Sequence, residues 1–340
     1  MERPMTTERL GVIEGGAATP APQPAAAPHP KKYKATIYPK NREVDPELAA
    51  LIGELERVLD RKIWVLIHYG RNEKDPWDEV SGAVYRGFRD KKNDIKQDDK
   101  VGLLIHSPGG QARSAYEIVR LFQRRTDDFV TIIPSYAKSA ATLISIGGYP
   151  IYMGSEAELG PLDVQMYDDE RDQWDSALNA VQSFERLNAY ALTAYDQAMQ
   201  LFLTRTGKRP QTLMPFALQY ATSIVGPMAD KIDTLEVTSK SRELKVAEDY
   251  AVRVMMPNYS EPDARSIARN LVERFSTHSF VIDREEAGTG PGGGASSFHL
   301  GLNVADCSPE IQEIFTRLTP YIEKSQRSGP IMGRIVEAST

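Results

Sequence analysis

Apolar positions in this chain fall in short blocks separated by segments of helical spacing. Ile63-Trp-Val-Leu-Ile67, Val101-Gly-Leu-Leu-Ile105, Phe129-Val-Thr-Ile-Ile133 and Ile151-Tyr-Met153 carry no charge and have the length of strands. Uninterrupted runs of this kind belong to strands covered on both faces. Asp45-Pro-Glu opens a helix over residues 45–61, with Leu48, Leu51, Ile52, Leu55 and Leu59 on one face. Residues 78–89 and 111–125 have the same periodicity, and Ala140-Ala-Thr-Leu-Ile-Ser-Ile146 is a short apolar helix stopped by Gly147-Gly148. The alternation predicts an α/β fold, a mostly parallel sheet with helices on its faces and right-handed crossovers.

Further along, the period becomes helical throughout. A long helix is expected over residues 172–206, then a turn at Pro210, helices near 215–218, 231–255 and 261–275, and an amphipathic helix over 308–325. The first forty residues differ in kind. Ala18-Ala-Thr-Pro-Ala-Pro-Gln-Pro-Ala-Ala-Ala-Pro-His-Pro30 has no apolar period and cannot bury enough surface to offset chain entropy. The predicted organisation is therefore a Pro/Ala-rich disordered tail or docking arm (1–43), an α/β core (44–170), a helical excursion suited to subunit contact or site cover (171–275), the C-terminal part of the catalytic domain (276–328) and a short tail (329–340).

Composition narrows the classes. The 340 residues are 41% hydrophobic and 26% charged, which is ample for a large core. A formal charge of −6, with basic residues scattered among acidic ones, offers no nucleic-acid stripe. The single cysteine, Cys307, excludes an internal disulfide and is read as structural, as suits a reducing cytoplasm. No stretch approaches the ~20 apolar residues of a membrane span. The five histidines, at 29, 68, 106, 278 and 299, form no His-x-x-x-His pair, and no cofactor or metal is implied. Gly288-Thr-Gly-Pro-Gly-Gly-Gly294 lacks a following Gly-Lys-Ser/Thr and reads as a surface linker, not a phosphate loop.

The chemistry concentrates where two strands end. The Val101–Ile105 run empties into His106-Ser-Pro-Gly-Gly110, and the Phe129–Ile133 run into Pro134-Ser-Tyr-Ala-Lys-Ser139-Ala-Ala141. A Gly-Gly turn and a helix N-terminus both free backbone amides, and together they can cradle the oxyanion formed when a serine attacks a carbonyl. Each alone is ordinary, a turn or a helix cap. Their order, with one crossover helix between them, makes Ser139 the candidate nucleophile.

Ser107-Pro-Gly-Gly110 followed by Ser139-Ala-Ala141 resembles the Clp-type protease and crotonase superfamily. Leu159-Gly-Pro-Leu-Asp163-Val-Gln165 and Thr277-His278-Ser-Phe-Val-Ile-Asp-Arg-Glu-Glu-Ala287 narrow the likeness, over about residues 60–325, to the serine dehydrogenase proteinase family, a set of Clp-fold serine proteases. The resemblance implies a Clp/crotonase-type fold of repeated ββα units, a peptide or protein substrate, an acyl-enzyme mechanism, a homo-oligomer, and an oxyanion hole made by the N–H groups of Gly110 and Ala140. Set against it, the glycine run 288–294 is an insertion.

The base departs from the Clp pattern. Asp163 stands where a Clp-type enzyme has histidine, and no histidine lies between Ser139 and His278. A rearranged triad is expected, with His278 as base and Asp163 orienting it. His68 and His106 compete from neighbouring strand ends. A Ser-Lys pair, as in signal-peptide-peptidase-like relatives, would draw on Lys138, Lys208, Lys231 or Lys240. Two rival functions remain: a crotonase-like acyl-CoA enzyme, whose twin amides hold a thioester enolate, and a silent scaffold that binds peptides or partners in the same groove.

Overall fold

A computed structural model describes residues 31–71, 75–162, 165–168, 173–275, 277, 279–288, 298–325 and 329–338. The four apolar runs form the parallel strands β2 (Lys62–Ile67), β3 (Lys100–His106), β4 (Asp128–Ile133) and β6 (Ile151–Met153). The six-stranded sheet has the order β1-β11-β2-β3-β4-β6, and its antiparallel edge is β1 (Tyr33–Ala35) and β11 (Ile331–Glu337). The α/β class expected from the sequence is the class observed.

Both faces of the sheet are buried, and strand alternation sorts the residues between them. Ile63, Val65 and Ile67 face one core, with α1 (Pro46–Leu59) and α10 (Pro309–Ser325). Trp64 and Leu66 face the other, with α2 (Gly82–Asp90), α3 (Ala112–Arg125) and α4 (Ala140–Ser145). Asp45 caps α1 by accepting the Glu47 N–H at 2.9 Å, Pro46 occupies the first helical position, and Asp60 ends the helix in a left-handed conformation. On the second face, Phe122 is fully buried, stacked on Phe129 at 5.0 Å between ring centroids and edge-on to Trp64 and Phe88.

A smaller three-stranded sheet stands beside the main one in the order β10-β7-β5, comprising β5 (Tyr136–Ala137), β7 (Glu158–Leu159) and β10 (Ile282–Asp283). Then come a hairpin, β8 (Gln165–Asp168) and β9 (Gln173–Ser176), and the long helices α5 (Ala177–Thr206), α6 (Pro210–Ala229) and α7 (Thr234–Met255). α8 (Glu261–Arg269), a π-helical turn over Asn270–Arg274 and the single turn α9 (Arg284–Ala287) complete the fold.

Several expectations are corrected. Residues 33–35 and 331–337, read as tail, are paired strands. Each is too short or too polar to announce itself, and the two meet only because the chain's ends come together. The long helix begins at Ala177, because residues 173–176 pair with β8. Pro210 is the first residue of a helix rather than a turn, and that helix runs through Pro215 and Pro227. The helix expected over residues 78–89 starts only at Gly82, capped by Ser81, since Asp78 serves a turn. The tail 1–30 and most of the glycine run lie outside the described residues.

The aromatic cluster makes the first prediction. Phe122→Ala should lower the unfolding free energy by about 3–5 kcal/mol in chemical denaturation. A loss below about 1 kcal/mol would mean that this face tolerates the cavity.

Candidate active site

The site is built by joining two loops. Ser107 leaves β3 and forms a parallel bridge with Ala137 of β5: its N–H donates to the Tyr136 carbonyl at 3.3 Å, and its carbonyl accepts the Lys138 N–H at 3.0 Å. That bridge brings the glycine turn onto Ser139. Gly109 has φ +118°, and a Cβ placed on it would lie 2.9 Å from Ser139 Cβ and 2.7 Å from the Lys138 carbonyl. No other residue fits without moving one of the loops. Gly110, with φ +138°, is clamped on its other side by Val80, whose N–H donates to the Gly109 carbonyl and whose carbonyl accepts the Gln111 N–H, both at 2.7 Å.

Ser139 sits at the entrance of α4 with φ 50° and ψ −120°. Only one other non-glycine among the described residues has positive φ, Asp60, and it lies in the ordinary left-handed well at φ 50°, ψ 50°. The Ser139 conformation is strained, at a cost on the order of 1–3 kcal/mol. Its hydroxyl does not cap α4, although serine at that position commonly does. Among the described residues, neither the Gly110 N–H nor the Ala140 N–H donates a hydrogen bond. Ala140 opens the helix, where no intrahelical acceptor exists for its amide. Thr142 fixes the elbow from behind: its hydroxyl lies 2.8 Å from the carbonyls of both Ala137 and Gly160.

The two strand-end histidines are committed elsewhere. His68 is fully buried, with Nδ1 3.0 Å from Ser107 Oγ and Nε2 3.4 Å from Met332 Sδ. Ser107 Oγ in turn accepts the Gly109 N–H at 3.2 Å. His68 is thus a strut behind the glycine turn. His106 Nδ1 lies 2.5 Å from Ser135 Oγ, and its ring packs between Tyr69 and Tyr136. Burial drives both imidazoles down, His68 to about 3 despite the nearby Asp78 carboxylate, and His106 to about 4. Asp78 itself accepts the N–H groups of Tyr69 and Arg71, each at 2.8 Å, which orders the loop after β2. Sequence reading missed Ser107, Thr142 and Asp78 as supports. Of the three, only Ser107 had a signal, its place directly before Pro-Gly-Gly.

The lysines divide. Lys138 pairs with Glu158 at 2.7 Å, while Lys208 and Lys231 are exposed on the helical excursion. Lys240 is buried in α7 and pairs with Glu236 at 2.6 Å. Asp163 and His278 lie outside the described residues. Of their described neighbours, Leu162 donates its N–H to the Leu271 carbonyl at 2.8 Å, and β10, downstream of position 278, pairs with β7 beside β5. Cys307 is half-buried, with Sγ 3.5 Å from the Met153 carbonyl, and burial pushes its thiol up. A cleft of about 460 Å³ opens against α10, but its lining includes Tyr136 and Glu158 and neither Ser139 nor the glycine turn.

Neutral buried histidines set an acid limit on stability. Between the unfolded value near ~6.5 and the folded values near 3 and 4, the unfolded chain binds protons that the folded chain does not. The stability due to each ring is therefore complete above about pH 6.5 and falls with pH, by up to ~1.4 kcal/mol per unit. His68→Gln should flatten that slope in denaturation curves taken across this range. An unchanged slope would show that His68 is charged or exposed in the folded state.

The segment that carries this geometry also has known relatives. Residues 79–186, which include the glycine turn, Ser139 and α4, match the sequence model of the ClpP-like SDH-type serine proteinases. Two uncharacterized proteins of Methanocaldococcus jannaschii are also similar. One is 25% identical over 235 residues, 69% of this chain and 63% of the relative. The second is 34% identical over 121 residues, 34% of this chain and 41% of the relative. The chain thus spans less than two thirds of the length of either. No helix among the described residues is long and apolar enough to cross a membrane. The family to which the sequence motifs pointed is the one that the core of this chain matches, the ClpP-like SDH-type serine proteinases.

Proposed function

We propose that this protein is a serine peptidase that hydrolyses peptide bonds through an acyl-enzyme on Ser139. The observation that carries the reading is the strained Ser139, pressed against Gly109, with two amides beside it that donate to no acceptor among the described residues. Strain at a residue that neither caps its helix nor fills a core has a reason if the hydroxyl must be held toward a substrate. In this mechanism Ser139 Oγ attacks the scissile carbonyl while His278 takes its proton, and Asp163 orients and stabilises the imidazolium. The N–H groups of Gly110 and Ala140 hold the oxyanion. His278 returns the proton to the leaving amine, and water then releases the acyl group.

The ion pairs of Lys138 with Glu158 and Lys240 with Glu236 weigh against a lysine base, as does the exposure of Lys208 and Lys231. The acyl-CoA reading leaves the Ser139 backbone unexplained, since twin amides alone would suffice for an enolate. A silent scaffold would likewise have no use for the strain.

A serine-directed fluorophosphonate should label Ser139, found by peptide mapping, and Ser139→Ala should lose both labelling and peptidase activity with the fold intact. Gly109→Ala should slow labelling by about 100-fold, the effect of misplacing one oxyanion donor. Labelling of a different serine, or none, would refute the nucleophile.

His278→Ala should abolish turnover, and adding Asp163→Asn should cost little more, because the two act as a unit. Should His278→Ala stay active while Lys240→Ala is dead, the triad gives way to a Ser-Lys pair.

A further inference from the structure

The chain as a whole has a formal charge of −6, yet three basic side chains gather at one concave site between α2 and the segment that follows β1. Lys40, Arg86 and Lys91 line a cavity there of about 280 Å³. Lys40 and Arg86 are exposed and Lys91 is half-buried, and among the described residues none of the three is in an ion pair. Asp90 is the one carboxylate in the lining, and it is paired at 3.8 Å with Arg89. The cavity therefore has an excess of positive charge that the fold itself does not neutralise.

Its walls are fixed independently of any ligand. Ile37 and Tyr38 donate their N–H groups to the Met332 carbonyl at 3.2 and 3.1 Å, and the Thr36 hydroxyl accepts the Arg334 N–H at 2.8 Å. Trp77, on the other side, stacks on Tyr38 with 5.0 Å between ring centroids. Gly87 lets α2 close on both, since a Cβ there would lie 2.5 Å from Ile37 Cγ2 and 3.2 Å from the Trp77 ring. A preformed site loses little ordering entropy when it is filled. Like charges held together by a fold repel one another, and a multivalent anion relieves that repulsion.

Size and charge select the ligand. Drug-sized molecules occupy pockets of roughly 300–1,000 Å³, so this cavity suits something more compact. A guanidinium binds phosphate oxygens through its fork and lysine ammoniums bind them as point charges. A single carboxylate would leave most of the positive charge unmatched, whereas a diphosphate has charge and oxygens enough for three cations. We propose that the cavity between α2 and Trp77 binds a diphosphate group, free or at the end of a nucleotide, through Lys40, Arg86 and Lys91. The site is separate from Ser139 and does not rest on the peptidase reading. It lies on the outer side of the loop whose Val80 clamps the glycine turn, a loop closed on itself by the Ser81 hydroxyl and the Pro76 carbonyl.

Titration calorimetry and tryptophan fluorescence on the full chain at low ionic strength test it, with inorganic pyrophosphate, ADP and AMP as probes. Pyrophosphate and ADP should each saturate a single site per chain with a dissociation constant below about 1 mM. Both should change the tryptophan emission, a signal that Trp77→Phe removes. Lys40→Gln and Arg86→Gln, with helix content verified by circular dichroism, should each weaken binding by about tenfold, the usual loss of one charge-assisted hydrogen bond. Lys96→Gln, at an exposed lysine outside the lining, should leave binding unchanged. ADP binding well above pyrophosphate assigns the diphosphate to a nucleotide, and equal binding assigns it to the free anion. The proposal is overturned if neither probe saturates, if AMP binds as tightly as ADP, or if Lys96→Gln weakens binding as much as Arg86→Gln.

Discussion

The contact between Gly109 and Ser139 constrains the rest of the site. With Ser139 Cβ only 2.9 Å from where a Cβ on Gly109 would lie, the glycine turn and the Ser139 turn have one mutual position. Everything nearby serves that position. The Ser107–Ala137 bridge ties the loops edge to edge, Val80 clamps the turn from one side, and His68 supports it through Ser107. An oxyanion hole depends on donors that are already in place when charge develops, and a turn fixed on three sides meets that condition.

Thr142 and the small sheet perform the corresponding task for Ser139. A strained serine must be over-determined by its surroundings. Its strand pairs with β7, and Thr142 ties α4 to Ala137 and Gly160, so both arms of the elbow are held. The histidines that looked like rivals for the base turn out to belong to this scaffold. Buried, and held far below their ordinary titration range, they act as neutral hydrogen-bonding groups near neutral pH.

The sequence revealed what local pattern encodes. The four buried strands, their crossover helices and the exit of the glycine turn and the Ser139 turn from strand ends follow from apolar runs and glycine placement. What it hid depends on distant partners. β11 reads as tail because its pairing with β1 and β2 joins residues from opposite ends of the chain. Asp78 reads as a helix start because nothing local shows that it must accept the Tyr69 and Arg71 amides. The strain at Ser139 is likewise invisible in Lys-Ser-Ala-Ala, which resembles any capped helix. The reading at Pro210 erred the other way, since the proline taken as a turn is the first residue of α6.

A crystal structure of the protein after reaction with a fluorophosphonate tests the central claim most directly. The expected result is a phosphorus bonded to Ser139 Oγ, with its non-bridging oxygen about 2.7–3.1 Å from the N–H nitrogens of both Gly110 and Ala140 and the glycine turn unmoved. An adduct whose oxygen points away from those amides, or one formed only after the turn has shifted from Ser139, would contradict the account.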